Sequence, residues 1–288
     1  MKVDLIKLKN LKGFIEKLFS IVLIIILSVN LSLADVKHNS NISGINVANV
    51  YPTSEKIPEN ILRFYIYFDA PMREGNIFDF IKLFDEHNNE MSHVFFDSVH
   101  ELWTPDHKRL TLLLDPGRVK SGLQANSAMG RAFTANKKYK LIVSEGFEAI
   151  SGLKTTADYV KVFTATSEDR EGINISRWQI EFPKHDLDKL KIDFKEPVDH
   201  VSAQHFILIV DHSGKEIEGS IDLQPNETGL VFEPTLPWVK GQYRILINHR
   251  FEDIVANNIN GAFDHKVGSL MSLNEGEVSS IEFHIPTE

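Results

Sequence analysis

One stretch of pattern occurs twice in this chain. Residues 62–68 are aromatic and β-branched with an alternating character, the mark of a strand. Residues 190–194 alternate apolar and charged side chains strictly, as a half-buried strand does. Both strands end in Phe-x-x-Pro-apolar, from Phe68 to Met72 and from Phe194 to Val198. The next strand pair keeps the same offset of 126 residues, Phe80 to Asp85 against Phe206 to Asp211, and each runs into a polar turn. Further on, Leu112 to Pro116 answers Leu230 to Pro234, Tyr139 to Val143 answers Tyr243 to Ile247, and Phe147-Glu148 answers Phe251-Glu252. The offset falls to 118 and then to 104, so the first copy carries extra residues in two places, between strands, where added length costs little.

Each copy is a run of short strands with turn signals between them and no long amphipathic helix, which is the pattern of a β-sandwich. At 288 residues the chain has room for two such units. The expected fold class is all-β, two tandem immunoglobulin-like β-sandwich domains after an N-terminal signal peptide. The expected bounds are 41–168 for the first sandwich, with the insertions, and 174–267 for the second. Residues 167–172 form the polar linker, and 268–288 form a C-terminal tail in which residues 281–285 alternate and offer an extra strand.

The first 34 residues stand apart. Five lysines (Lys2, Lys7, Lys9, Lys12, Lys17) precede an apolar run from Leu18 to Leu27, and Ser32-Leu33-Ala34 supplies small residues at the two positions a signal peptidase reads. Ser28 and Asn30 leave the apolar run shorter than the roughly 20 residues that span a bilayer. Cleavage before Asp35 is the expectation, with an uncleaved anchor as the alternative and the only route to a membrane. Without this segment the 31 basic and 40 acidic residues become 26 and 38, a formal charge of −12. Neither half has a basic block, which argues against nucleic acid as a partner. There is no cysteine, so disulfides, thiol nucleophiles and cysteine-ligated zinc are excluded.

In both copies the order of motifs resembles the bacterial Ig-like module of surface-layer and other exported proteins. The matching positions are Phe68 to Met72, Asp115-Pro116 and Lys138 to Val143 in the first copy. In the second they are Phe194 to Val198, Gly241 to Ile247 and Asp253 to Asn257. The first copy lacks the usual Asp and Asn of the late turn, at residues 148–152, and Val255-Ala256-Asn257 replaces its glycine step. The resemblance implies spacers, adhesive units or accessory domains, and it names no catalytic residue.

Candidate binding residues fall in or beside the stretches that lengthen the first copy: Trp103, Asp106, His107, Asp115 and Arg118. Loops added to a rigid sandwich commonly carry binding groups, and a tryptophan beside carboxylates suits a sugar or a peptide. Equally, Trp103 can cap the sandwich and Asp115-Pro116-Gly117 can be a plain turn. His93, His100 and His107 alternate faces if they lie on one strand, and Thr104 breaks a helical zinc motif. A copper clamp at the new N-terminus is off by one, because His38 is fourth after Ala34. No cofactor, no metal and no catalytic residue is expected. The leading reading is a non-enzymatic structural or binding module at the cell envelope, with envelope protein or polysaccharide as partner. The alternative is a periplasmic copper carrier or an envelope-associated hydrolase using the first-copy insertion.

Overall fold

A computed structural model describes residues 44–98, 100–119, 130–264 and 276–286. The expected signal peptide (1–34) and residues 120–129 and 265–275 lie outside the described residues. In the first copy the elements are β1 (Val47–Tyr51), β2 (Lys56–Pro58), β3 (Arg63–Phe68), a one-turn helix α1 (Ile77–Phe80), β4 (Ile81–Phe84), β5 (Leu102–Trp103), β6 (Arg109–Leu113), a second one-turn helix α2 (Pro116–Val119), β7 (Lys138–Val143) and β8 (Tyr159–Thr166). They form two sheets, β1-β3-β6-β5 and β2-β8-β7-β4, antiparallel except for the β2–β8 pair. The second copy has β9 (Gln179–Glu181), β10 (Leu190–Asp193), α3 (His200–Phe206), β11 (Ile207–Asp211), β12 (Gly219–Leu223), β13 (Gly229–Pro234), β14 (Gly241–Asn248) and β15 (Val278–Ile285). Its sheets are β9-β10-β13-β12 and β11-β14-β15.

Each copy is a two-sheet immunoglobulin-like sandwich, four strands on three in the second and four on four in the first, where β2 adds in parallel to β8, so the all-β expectation holds. The alternation explains why. Phe64, Ile66 and Phe68 of β3 point inward to meet Leu110 and Leu112 of β6, while Leu141 and Val143 of β7 close the core from the opposite sheet. Leu190, Ile192, Leu230, Phe232, Ile245 and Ile247 repeat the arrangement in a second core. Full burial of such a side chain stabilises by roughly 1.5–3 kcal/mol, which is how a chain without cysteine can hold each copy together.

Two details tie the repeat to its cause. Tyr139 and Tyr243 open β7 and β14, and both turn their hydroxyls back to the preceding loop. Tyr139 accepts from the Thr134 amide at 2.9 Å, and Tyr243 donates to the Val239 carbonyl at 2.7 Å. This is the tyrosine corner of immunoglobulin sandwiches. The Phe-x-x-Pro-apolar motif also acts alike in both copies, since Met72 bridges to Ala149 and Val198 bridges to Asp253.

The segment read as a tail completes the second sandwich. β15 pairs along the whole of β14, with Phe283 opposite Tyr243, just as β8 places Phe163 opposite Tyr139. Phe283 and Ile285 are part of the second core. The extra strand that the alternation of residues 281–285 offered is thus β15, and it lies beyond residue 267, across a long intervening segment from β14.

Candidate functional site

The five candidate residues do not come together. Trp103, Asp106 and His107 lie before β6, whereas Asp115 and Arg118 follow it, and the strand separates the two groups by about 17 Å. Trp103 is half-buried over the first core, 5.8 Å from the Phe68 ring and 6.2 Å from the Phe147 ring, with the His107 ring stacked near it at 6.3 Å. Its indole N–H donates to Glu101 Oε2 at 2.7 Å. Asp106 accepts from the Thr104 hydroxyl (2.6 Å) and the Lys108 amide (3.1 Å), which fixes the turn into β6 and holds its carboxyl below the ordinary range. His107 Nε2 lies 3.8 Å from Glu74 Oε1. At the far end Asp115 accepts from the Gly117 amide at 2.7 Å, closing the turn at the start of α2, and Arg118 donates to the Arg131 carbonyl at 3.3 Å.

The densest set of buried polar groups is elsewhere, where the two sandwiches meet within one compact unit of residues 44–288. The outward side chains of β3 are Arg63, Tyr65 and Tyr67, and the start of α3 covers this face of the first sandwich. Asp199 caps α3 by accepting from the Ser202 amide at 2.8 Å, and the same carboxylate accepts from the Tyr65 hydroxyl at 2.9 Å. Arg63 Nε stands 3.3 Å from Asp199, and its guanidinium also pairs with Glu252. His200 stacks on Tyr51 with ring centroids 3.5 Å apart and meets the edge of Tyr67 at 5.5 Å.

A second tie crosses nearby. Glu227, 1% exposed, accepts from the Thr53 amide (3.0 and 2.9 Å) and from the Thr53 hydroxyl (2.6 Å). Asn226 and Glu227 both adopt left-handed backbone (φ 63° and 55°), a conformation the surrounding bonds must hold in place. Lys161 points inward beside them and donates to the Ser54 carbonyl at 3.1 Å.

The polar linker is part of the junction. Asn60 and Asp169 exchange hydrogen bonds at 2.6 and 2.9 Å, Glu168 pairs with Arg131 and Arg170, and Arg170 reaches Asp264 at 2.9 Å. Gly172 passes so close to Gly261 that a Cβ there would come within 2.9 Å of its Cα.

Burial dominates the electrostatics of the junction. It raises the carboxyls of Glu227 and Glu252, against the opposing pull of Thr53 and Lys161 on the first and of Arg63 on the second. It lowers Lys161 to about 8 and, with Arg109 adding to it, lowers His200 to about 4. Burial also pushes Asp253 up to about 8, although the Val255 and Asn257 amides donate to it.

Shifted groups of this kind also mark catalytic sites, but only where a cleft admits a substrate. The cavity bordered by Tyr51, Arg63, Tyr65, Asp199 and His200 holds about 10 Å³, no more than one water. The arrangement therefore suits a clasp, because Arg63 is paired with Asp199 and Glu252, Glu227 and Lys161 are hydrogen-bonded to Thr53 and to the Ser54 carbonyl, and little solvent enters. Among the described residues no group of three or more His, Asp or Glu is placed to hold a metal ion.

The junction escaped sequence reading because its members are scattered from Tyr51 to Glu252. One signal was present. β3 has large aromatic side chains on both faces, and a strand that is aromatic on both sides is covered on both sides.

No protein-family model and no curated protein matches the chain. Solved structures match at low scores. Domains MG0-NIE-MG1 of native alpha-2-macroglobulin from Escherichia coli share 11% identity at a TM-score of 0.28, over 84% of this chain and 72% of that one. The S-layer protein SbsC shares 8% at 0.30, and the match covers 84% of this chain and 41% of SbsC. The titin domains z1z2, crystallised in complex with telethonin, share 10% at 0.21, over 85% of this chain and 98% of that one. At such scores the likeness carries no argument about function, and the fold rests on the strand order itself.

Proposed function

We propose that this chain is a non-enzymatic exported protein whose two immunoglobulin-like sandwiches act as one rigid structural or binding module at the bacterial cell envelope. The observation that carries the reading is the clasp of Arg63, Tyr65, Asp199 and Glu252, backed by Thr53 with Glu227 and by a packed linker. Breaking one partner of such a buried set costs about 3–5 kcal/mol, so the set holds the two sandwiches in one relative orientation. A fixed pair is what a spacer or presenting scaffold needs, whereas an enzyme on this fold would need an open cleft around its shifted groups. The division into domains at 41–168 and 174–267, with the last strand added to the second, and the cleavage before Asp35 belong to the same proposal.

Protein recovered from the envelope fraction tests the reading. Its N-terminus is expected at Asp35, its metal content is expected to fall well below one per chain, and isolated envelope polymers are expected to remain uncleaved by it. Stoichiometric copper or zinc, or turnover of an envelope polymer, would overturn the module reading.

A further inference from the structure

The two copies differ most along one edge strand. In the second sandwich β12 runs straight beside β13, from Gly219 opposite Pro234 to Leu223 opposite Leu230. In the first, the corresponding track starts the same way, with Phe95 bridged to Leu114 and the Phe96 amide donating to the Leu113 carbonyl at 2.9 Å. It then leaves the sheet after Phe96 and rejoins at Leu102 opposite Thr111. A cleft of about 470 Å³ opens between this detour, α1 and β6, and a cavity of about 240 Å³ adjoins it, sharing Phe78 and Asp97 as walls.

The cleft is built without a ligand. The Glu101 carboxylate accepts from the Gly75 amide at 3.0 Å, the Ile77 amide at 3.2 Å and the Trp103 indole at 2.7 Å, which ties the detour to α1 and to the aromatic roof of the core. A pre-formed cleft spares a ligand the ordering that binding would otherwise cost. Its chemistry is one-sided. Phe96 is 47% exposed and Leu102 44% exposed along the rim, and the carboxylates of Glu74, Asp79 and Asp97 face the same space. Among the described residues no lysine or arginine lines it, and its basic side chain is His100. Glu74 lies 3.8 Å from His107 Nε2, whereas Asp79 and Asp97 have no ion-pair partner among the described residues, and exposed aromatic surface beside such carboxylates favours a cation with an apolar stem, held by charge and by the ring face.

We propose that this cleft binds a lysine or arginine side chain presented by a basic segment of a partner protein. The methylene stem covers Phe96 and Leu102, and the charged head reaches Asp79 and Asp97. An amino sugar carries the charge but has no such stem. The assignment deepens the binding-module reading and rests on it.

Fluorescence anisotropy of the purified mature chain with a labelled lysine-rich peptide tests it. Binding is expected to weaken at least tenfold when the lysines are acetylated, and at least tenfold in an Asp79→Asn, Asp97→Asn double variant or in Phe96→Ala. Glu216→Gln with Glu218→Gln, the same charge change on the other sandwich, is expected to leave it unchanged. Equal binding of the acetylated peptide, equal loss in the control variant, no loss in the cleft variants, or binding of an amino-sugar oligomer alone would overturn the assignment. Each cleft variant is expected to unfold at the parent's denaturant midpoint, since Asp79, Asp97 and Phe96 are exposed. Failure here leaves the rigid-module reading standing, because that reading falls on metal, turnover or loose sandwiches.

Discussion

Ala256 has φ 66°, in the left-handed region, where an L-residue costs about 1–2 kcal/mol. It closes the late turn of the second sandwich, donating to the Asp253 carbonyl at 3.1 Å, as Gly152 (φ 83°) donates to Ala149 in the first at 2.9 Å. Ala256→Gly is expected to raise stability by up to about 1 kcal/mol, and Gly152→Ala to lower it by about 1–2 kcal/mol, read from urea midpoints. The departure from the glycine step was visible in the sequence, but its conformation was not. Nothing in Val255-Ala256-Asn257 says that Asp253 lies beneath it, accepting from Val255 and Asn257 and fixing the turn that glycine would otherwise ease.

His200 gives a second test at this scale. Tyr51, Tyr67, Gln204 and Arg109 face it, and burial holds its folded pKa at about 4 against an ordinary 6.5. Between those values the unfolded chain binds a proton that the folded chain does not, so this residue's contribution is present above pH 6.5 and is lost as pH falls toward 4. Relative to His200→Phe, the parent is expected to lose up to about 3 kcal/mol between pH 7 and pH 4, measured as the change in the gap between their unfolding free energies. A gap independent of pH contradicts the burial argument.

At the scale of elements, β15 is the clearest case of structure adding to sequence. Removing residues 276–288 strips the second sheet of its outer strand and takes Phe283 off the Tyr243 and Trp238 rings. The truncated chain is expected to lose amide protection along β14 and several kcal/mol of stability, from two buried side chains and a strand of hydrogen bonds. The strands that repeat were legible because period-two alternation reports which face is buried. That signal locates β3, β6, β7 and their counterparts, and it was weak for β15, whose outer half is exposed and polar. The detour after Phe96 was legible only as extra length. That it leaves a cleft depends on Glu101 bonding across to Gly75 and Ile77, and spacing alone does not encode that contact.

For the whole molecule, the account turns on the clasp. Asp199 serves Arg63, Tyr65 and the Ser202 amide at once, so Asp199→Ala leaves a buried guanidinium short of a partner and uncaps α3. The expected cost is about 3–5 kcal/mol, read as a shift in the unfolding midpoint. None of this junction follows from either repeat alone, because a repeat describes how each copy folds and carries no record of which faces meet.

The absence of cysteine allows the orientation itself to be measured. Spin labels at Glu145→Cys on the first sandwich and Lys215→Cys on the second, both exposed positions, report the distance between the two by pulsed electron resonance. The account predicts one narrow distance distribution in the parent and a broad one in Asp199→Ala with Glu227→Ala. A broad distribution in the parent would contradict it.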